Sequence, residues 1–264
     1  MLTLDVAIST YRPEGIKRVE KMLLPPKEGV RYIVSWQEHL DQPIPKSLND
    51  REDVEIHRLD KKGLSNNRNN SISHCKSDLV LIADDDLIYE PDFSEKIIKS
   101  FEGNPATDLG IFEVKFSTPK KYPEEECRLS LPFPKYYYCS SVEIAFRRER
   151  IGTIRFWNKM GLGNTCLQCG EDELFLITAL KKGLNCRFIN KTIASHPSPT
   201  TGDKFTDGIL RGQGFIIRKI YPISFILRLP LKAYRISKGK KGYFYKSLFQ
   251  LSKGALLSNQ YQIH

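Results

Sequence analysis

The feature that most constrains this chain is an apolar run that ends in three carboxylates. Leu79–Ala83 is bounded by polar residues, as is typical of a strand buried on both faces, and Asp84–Asp86 follows it directly. Open α/β sheets bind ligands beyond the carboxyl ends of their strands. Adjacent carboxylates repel one another unless a cation lies between them, and hard oxygen ligands favour Mg²⁺ or Mn²⁺. The run therefore predicts a metal–diphosphate site, with a solvated acidic turn as the alternative.

Strands and helices are predicted to alternate along most of the chain. Hydrophobic patterning favours strands at Leu2–Ser9, Arg31–Trp36, Val54–Arg58, Leu79–Ala83, Leu109–Phe116, Val142–Arg147 and Asn185–Ile189. Helices are predicted at Ile16–Leu24, Leu64–Cys75, Pro91–Phe101 and Glu171–Lys182, and loops at Pro119–Tyr138 and Ser195–Asp203. Such alternation is typical of an α/β fold with a largely parallel sheet covered by helices on both faces.

Positive charge is concentrated towards the C-terminus. The 264 residues carry 41 Lys and Arg against 31 Asp and Glu, a net charge of +10. Residues 205–264 contain 11 of those cations and a single acid, Asp207, so residues 1–204 are neutral overall. A chain of this length can bury one large domain with a small appendage. We predict a main domain at 1–204 and a basic, amphipathic helical region at 205–264.

The basic region mixes bulky apolar residues with cations. Phe215–Lys219, Phe225–Arg235 and Tyr243–Leu257 resemble interfacial helices, and Lys238–Gly242 would form a basic turn. Each cation near an anionic leaflet can contribute about 1 kcal/mol. The pattern predicts attachment to an anionic membrane surface, with a basic subdomain packed on the main domain as the alternative. Nucleic acid is not predicted as a partner, although basic and aromatic residues can bind it, because the acidic site needs none.

Targeting and cysteine patterns favour a reducing compartment. Met1–Asp5 lacks the basic and apolar regions of a secretory signal, and no run of about 18 uncharged apolar residues predicts a spanning helix. Cys166 and Cys169 form a C-x-x-C pair, but no second pair at similar spacing accompanies it, so zinc is not predicted. We expect a cytoplasmic protein with free thiols, peripheral on the inner face of the cell membrane.

Four motifs follow one another in a recognisable order. They are Ser9–Glu14 after the first strand, Gly63–Asn69 at the start of a helix, the Asp84–Asp86 triplet, and Gly170–Glu173 at the start of a later helix. In this order they resemble the family 2 glycosyltransferases, enzymes of the GT-A fold, over about Leu2 to His196. The resemblance implies a Rossmann-like, mostly parallel sheet flanked by helices, with residues 1–204 as the catalytic domain.

The Asp triplet resembles the DxD motif of that family. The resemblance implies that Asp86 ligates the Mn²⁺ or Mg²⁺ bound to the donor diphosphate. Asp84 would lie nearer the nucleotide ribose or help to hold the metal, and Asp85 could serve either role. Some relatives use a histidine after the acidic helix as a further metal ligand, which makes His196 a candidate. A cation there would neutralise charge on the departing nucleoside diphosphate.

The resemblance also implies a nucleotide pocket. Thr10 and Arg12 match the family loop that touches the nucleobase, with a plain β–α turn as the alternative. Arg68 lies on a helix that lines the pocket in the family. A helix N-terminus and a guanidinium both favour anions, so Arg68 would contact phosphate or base, with a surface helix charge as the alternative.

One stretch departs from the family pattern. Many members carry an acidic residue after the second strand that recognises the nucleobase, whereas this chain has Ile33–Glu38 there. Ser35 or Gln37 could hydrogen-bond a base instead. A UDP-sugar is the donor that the resemblance favours.

The acidic helix supplies the expected catalytic groups. By resemblance, Asp172 is the general base of an inverting transfer and takes the proton from the attacking acceptor hydroxyl, while Glu171 orients acceptor or donor. The alternative is structural, because acids in a first helical turn are stabilised by the helix dipole. A base must lie within hydrogen-bond reach of the attacking oxygen, which sequence does not show.

The resulting expectation is an inverting, metal-dependent hexosyl- or N-acetylhexosaminyltransferase. It would move a sugar from a nucleotide-sugar to a glycan or lipid-linked glycan in bacterial surface-polysaccharide synthesis. A nucleotidyltransferase is the enzyme alternative, but it would normally carry a Gly-rich loop after the first strand, where Ser9–Gly15 has one glycine. The third possibility is a non-enzymatic basic protein that binds membranes or polyanions.

Overall fold

A mixed α/β domain with a nine-stranded sheet forms most of the computed structural model, which describes residues 1–133, 138–196, 205–238 and 241–261. The strands are β1 Leu4–Tyr11, β2 Val30–Gln37, β3 Val54–Leu59, β4 Leu79–Asp84, β5 Ile88–Tyr89, β6 Leu109–Phe116, β7 Cys127–Arg128, β8 Ile144–Arg147 and β9 Cys186–His196. The described helices are α1 Arg12–Met22, α2 Lys46–Asn49, α3 Leu64–His74, α4 Phe93–Gly103, α5 Arg148–Ile151, α6 Glu171–Lys181, α7 Asp207–Ile220, α8 Phe225–Ser237 and α9 Lys241–Leu257. The predicted fold class is confirmed.

The sheet order places four parallel strand ends at one edge. The order is β3-β2-β1-β4-β8-β6-β9-β5, with β7 paired to β9. Strands β3, β2, β1 and β4 run parallel, as do β6 and β9, whereas the short β5, β7 and β8 pair antiparallel. Tyr11, Gln37, Leu59 and Asp84 therefore end their strands at the same edge of the sheet.

Both faces of the sheet are buried, which explains its uninterrupted apolar strands. Along β4, Leu79, Leu81 and Ala83 join one hydrophobic cluster, while Val80 and Ile82 join another. Successive side chains of a strand point to opposite faces, so one run supplies both clusters. The Asp triplet begins where this double burial ends.

Two sequence predictions need correction. Ser195 and His196 were predicted in a loop, but they end β9, where Ser195 pairs with Ile88 of β5. The polar run Asn190–Thr192 hid this continuation of an inner strand, and residues 197–203 of the predicted loop lie outside the described part. The excursion predicted as a loop at 119–138 contains the two-residue strand β7, while its residues 134–137 lie outside the description.

Three helices follow the sheet domain. Phe215 and Ile216 of α7 enter the main core, whereas Leu229, Ala233, Leu251 and Ala255 form a small separate cluster between α8 and α9. Helices α7 and α9 approach so closely that a Cβ at Gly214 would overlap the Leu251 carbonyl. The domain boundary at 204/205 stays a prediction. Among the described helices, none is long and apolar enough to cross a membrane.

Candidate active site

The three aspartates at the end of β4 turn towards different partners. Asp84 faces Arg68 of α3. Asp85 accepts hydrogen bonds from Thr10 Oγ1 at 2.5 Å and from Arg18 Nε and Nη2 at 2.9 and 3.0 Å. Asp86 Oδ1 lies 3.3 Å from His196 Nε2 at the end of β9. Asp85 therefore helps to hold α1 against the sheet, whereas Asp84 and Asp86 lie at the open edge.

A buried arginine joins the two acidic motifs. Arg68 is 3% exposed, and its Nη1 donates to Asp172 Oδ1 at 2.8 Å and to Glu171 Oε1 at 3.2 Å. Its Nη2 donates to Asp84 Oδ1, also at 3.2 Å. Burial lowers the pKa of a guanidinium, but the charges of Asp172, Asp84 and Glu171 outweigh that effect and raise it. Arg68 is thus a permanent cation that brings residues 84 and 172 to one place.

The acidic helix α6 begins at this edge. Burial raises the pKa of Glu171 and of Asp172; the neighbouring Asp172 raises the pKa of Glu171 further, and Arg68 opposes the shift in both. Gly161 packs against Glu171 with φ +101°, where a Cβ would lie 2.9 Å from the Glu171 carboxyl carbon. A glycine is required there both by its backbone conformation and by this close approach.

A turn beside Gly161 docks on the start of α3. Leu64 donates its backbone N–H to the Leu162 carbonyl at 3.0 Å, and Ser65 Oγ donates to the Met160 carbonyl at 2.6 Å. The first orphan amide of α3 is therefore already satisfied by protein. This contact fixes α3, and with it Arg68, against the segment that precedes α6.

Three of the residues predicted to bind nucleotide are committed to internal hydrogen bonds. Thr10 donates to Asp85, Ser35 Oγ accepts from Asn70 Nδ2 at 2.8 Å, and Gln37 Nε2 donates to the Gly63 carbonyl at 3.1 Å. All three are buried. The nucleotide contacts of these three residues stay predictions, and so does the nucleotide contact of Arg68. The alternative for Arg68, a solvated charge on the helix surface, does not hold because its guanidinium is buried.

An exposed group at the end of β2 was missed by the sequence analysis. Glu38 accepts from the Tyr11 hydroxyl at 2.7 Å and from Arg12 Nε at 3.2 Å, and its Oε1 lies 3.0 Å from Lys62 Nζ. These bonds, that from Tyr11 first, lower the pKa of Glu38 to about 2. Its position could have indicated it, because Glu38 directly follows Gln37, the last residue of β2, which is buried. Arg12, predicted at the nucleobase, lies in this exposed group.

The residues proposed for a metal offer suitable donors but no preformed cage. Asp84, Asp86 and His196 are 30%, 26% and 12% exposed, so each side chain reaches solvent at the edge. Across residues 1–133, 138–196, 205–238 and 241–261, no group of three His, Cys, Asp or Glu side chains is arranged to hold a metal ion. Mg²⁺ usually needs only one or two carboxylates together with substrate phosphates. The donor set therefore fits a metal that arrives with a diphosphate.

A second buried ion cluster lies behind Asp172 and was also missed. Glu143 accepts from Lys120 Nζ at 2.5 and 2.6 Å, from the Tyr122 hydroxyl at 2.5 Å and from the Ser140 amide at 2.9 Å. Lys120 and the Ser141 backbone both lower the pKa of Asp172, against its burial. Local patterning did not indicate this cluster, because Lys120 lies in the stretch Pro119–Tyr138 that is predicted as a loop.

A cavity of about 410 Å³ lies away from the carboxylates. Thr153–Asn158, Lys182 and Tyr261 line it, at the end of α6 opposite Glu171 and Asp172. Its size alone does not make it the functional site, because the perturbed acidic groups converge at the sheet edge.

Comparison with known proteins points to the glycosyltransferases. Residues 36–160 match the model of the family described as Glycosyl transferase family 2. The match covers slightly less than half of the chain, includes the motifs at Gly63–Asn69 and Asp84–Asp86, and confirms the predicted resemblance to that family. A search of curated proteins finds no significant match.

Solved structures of S. aureus TarS share the fold. TarS 1–349 aligns with a TM-score of 0.63 at 13% identity, over 99% of this chain and 92% of that one. Its complex with UDP gives 0.61 at 14% identity with the same coverage, and its complex with UDP-GlcNAc gives 0.63 at 12% over 98% and 92%. At these identities the likeness establishes the fold.

Proposed function

We propose that this protein is an inverting, metal-dependent glycosyltransferase that takes a sugar from a UDP-sugar. The observation that carries the proposal is Arg68, which holds Asp84 of the triplet and Asp172 of the acidic helix on one guanidinium. Three of the four motifs therefore meet at Arg68, and Thr10 of the first motif joins them through its hydrogen bond to Asp85. The UDP and UDP-GlcNAc complexes of TarS support a uridine nucleotide and favour N-acetylhexosamine among possible donor sugars.

The charge of the site is the reason for proposing a metal. Asp84, Glu171 and Asp172 share one buried cation, Arg68, and Asp86 adds a fourth carboxylate at the same edge, so an incoming diphosphate would meet an excess of negative charge. Asp86, with Asp84 and His196, would hold Mn²⁺ or Mg²⁺ beside the diphosphate. The bound ion supplies Lewis-acid stabilisation of the leaving nucleoside diphosphate.

Asp172 is proposed as the general base. It lies at the start of α6 with 18% of its side chain exposed, so a substrate hydroxyl can reach it. Burial raises the pKa of this carboxyl, which makes the carboxylate a stronger proton acceptor near neutral pH. It would remove the proton from the acceptor hydroxyl as that oxygen attacks the anomeric carbon opposite the leaving diphosphate. Arg68 would hold it in place, and Glu171 would orient acceptor or donor.

The acceptor is proposed to be a glycan or lipid-linked glycan of a surface polysaccharide. Its synthesis would take place at the cytoplasmic face of the membrane, which agrees with the predicted peripheral location. Neither alternative function gains a specific observation. The loop of a nucleotidyltransferase is absent from Ser9–Gly15, and a protein that only binds polyanions would not need four carboxylates at a sheet edge.

Asp172→Asn tests the proposal directly. UDP release from a panel of UDP-sugars, with Mn²⁺ and candidate acceptors, would be measured for the unaltered protein and for Asp172→Asn. Loss of a general base typically costs about 10²- to 10⁴-fold in rate, and that loss is expected here. Asp207→Asn is the matched control, because Asp207 is also an ion-paired acid in a first helical turn, on α7. Thermal unfolding of both variants would show whether a loss of turnover reflects a loss of folding. Retained turnover in Asp172→Asn would remove the base assignment.

A further inference from the structure

One side of α8 exposes an apolar stripe. Ile223, Ile226, Leu227, Leu231 and Tyr234 are 59–89% exposed. Ile223 lies in the turn just before α8, and the other four follow it by three, four, eight and eleven residues, which is the spacing of a single helical face. The opposite face buries Leu229 and Ala233 in the small cluster shared with α9. The exposed residues are therefore not left over from the internal packing of α8 but form a second, outward-facing apolar surface.

Cations border this stripe, and acids do not. Arg228 and Arg235 lie on the flank of α8 beyond Leu231, and Lys238 follows at its C-terminal end. The guanidinium of Arg228 stacks 3.6 Å from the Tyr221 ring centroid, which holds that charge near the start of the helix. The one acid of residues 205–264, Asp207, is paired with Lys246 Nζ at 3.1 Å. Within residues 205–264, the charges beside the stripe are therefore all positive.

The outward side of α9 repeats the pattern. Tyr245, Phe249 and Leu256 are exposed, and their spacings of four and seven residues put them on one face, with Lys246 and Lys253 beside them. Soluble monomers rarely expose large contiguous apolar patches without a partner. Tyrosines such as Tyr234 and Tyr245 suit a boundary where one end of the ring is apolar and the other is hydrated.

We propose that the exposed face of α8 docks on an anionic lipid bilayer. A bilayer offers acyl chains to the apolar stripe and negative headgroups to its basic border, so it complements both features at once. A second copy of this chain would match the apolar stripe but would bring like charges together, which disfavours it. The inference does not depend on catalysis, although such docking would hold the sheet-edge site near a lipid-linked acceptor.

Leu227→Glu tests the docking face in the intact chain. Sedimentation would measure binding to vesicles of phosphatidylcholine alone and of phosphatidylcholine mixed with phosphatidylglycerol, at low and high salt. The unaltered protein is expected to bind the mixed vesicles, and less so at high salt. Leu227→Glu should weaken that binding at least tenfold. Leu40→Glu, which makes the same change at a similarly exposed residue far along the sequence, should alter it less than twofold.

Three outcomes would overturn the proposal. They are no binding to mixed vesicles by the unaltered protein, equal loss in the two variants, and concentration-dependent self-association that Leu227→Glu abolishes. The last would assign the face to a second copy of the chain. Titration of UDP and Mn²⁺ into the same preparations separates this proposal from the enzymatic one, because Leu227→Glu should leave nucleotide binding unchanged even if vesicle binding is lost.

Discussion

Two buried ion clusters lie side by side in this domain, and they differ in charge balance. In the first, Lys120 and Glu143 are 1% and 0% exposed, and the carboxylate is completed by the Tyr122 hydroxyl and the Ser140 amide. In the second, Arg68 is 3% exposed, but it serves three carboxylates whose exposure rises from 8% at Glu171 to 30% at Asp84. One cluster is closed and neutral, while the other is open and acidic.

The difference separates a structural role from a functional one. A buried pair with matched charges and complete hydrogen bonding holds its segments together, here the 119–138 excursion and the start of β8. An excess of partly exposed carboxylates does not improve folding, because the acids repel one another. Such an arrangement is retained where it binds a cation or moves a proton. The excess of partly exposed carboxylates therefore supports the sheet edge as the active site.

Arg68→Met should cause the largest loss of stability. It leaves three carboxylates packed together without a cation, and removal of one partner from a buried pair typically costs about 3–5 kcal/mol of stability. Lys120→Met, which leaves Glu143 with two other donors, should cost less. Urea unfolding followed by circular dichroism measures both, and an equal loss would show that charge imbalance does not distinguish the two clusters.

Asp85→Asn and Asp86→Asn should separate the roles within the triplet. Asp85→Asn weakens the bonds from Arg18 and Thr10, so a loss of about 1–3 kcal/mol is expected. Asp86→Asn removes a negative charge from an acidic edge and should leave the melting temperature unchanged or higher. Thermal unfolding without metal tests both. A larger loss of stability in Asp86→Asn would mean that Asp86 is the structural member.

The pH dependence of turnover should show the smallest effect. Asp172 must be ionised to accept a proton, and burial raises its pKa, so the acid limb should lie above about 3.9, the ordinary aspartate value. Lys120 lowers the pKa of Asp172, so Lys120→Met should move the limb to higher pH. A pH–rate profile of UDP release measures the shift. A limb that moves to lower pH would contradict this electrostatic link.

The sequence predicted the sheet and its acidic edge because local patterning encodes both. The apolar run before Asp84 and the glycine before Glu171 mark strand and helix ends, and these were confirmed. The partners of Arg68 were not predictable, since they lie 16, 103 and 104 residues away and a charge on a helix is ordinarily solvated. The pairing of Lys120 with Glu143 was not predictable for the same reason, since these residues are 23 positions apart. Local sequence patterns show where a charged residue lies in a helix or strand. They do not show which distant charged residue pairs with it in the folded protein.

The proposed function requires that the acidic edge bind a uridine nucleotide through a metal. Calorimetric titration of UDP into the protein, with and without Mn²⁺ and repeated on Asp86→Ala, tests it most directly. We predict binding that requires Mn²⁺ and weakens at least tenfold, or by about 1.4 kcal/mol, in Asp86→Ala. Metal-independent binding, or equal affinity in the variant, would contradict it, as would the absence of binding for UDP and then for GDP, CDP and dTDP.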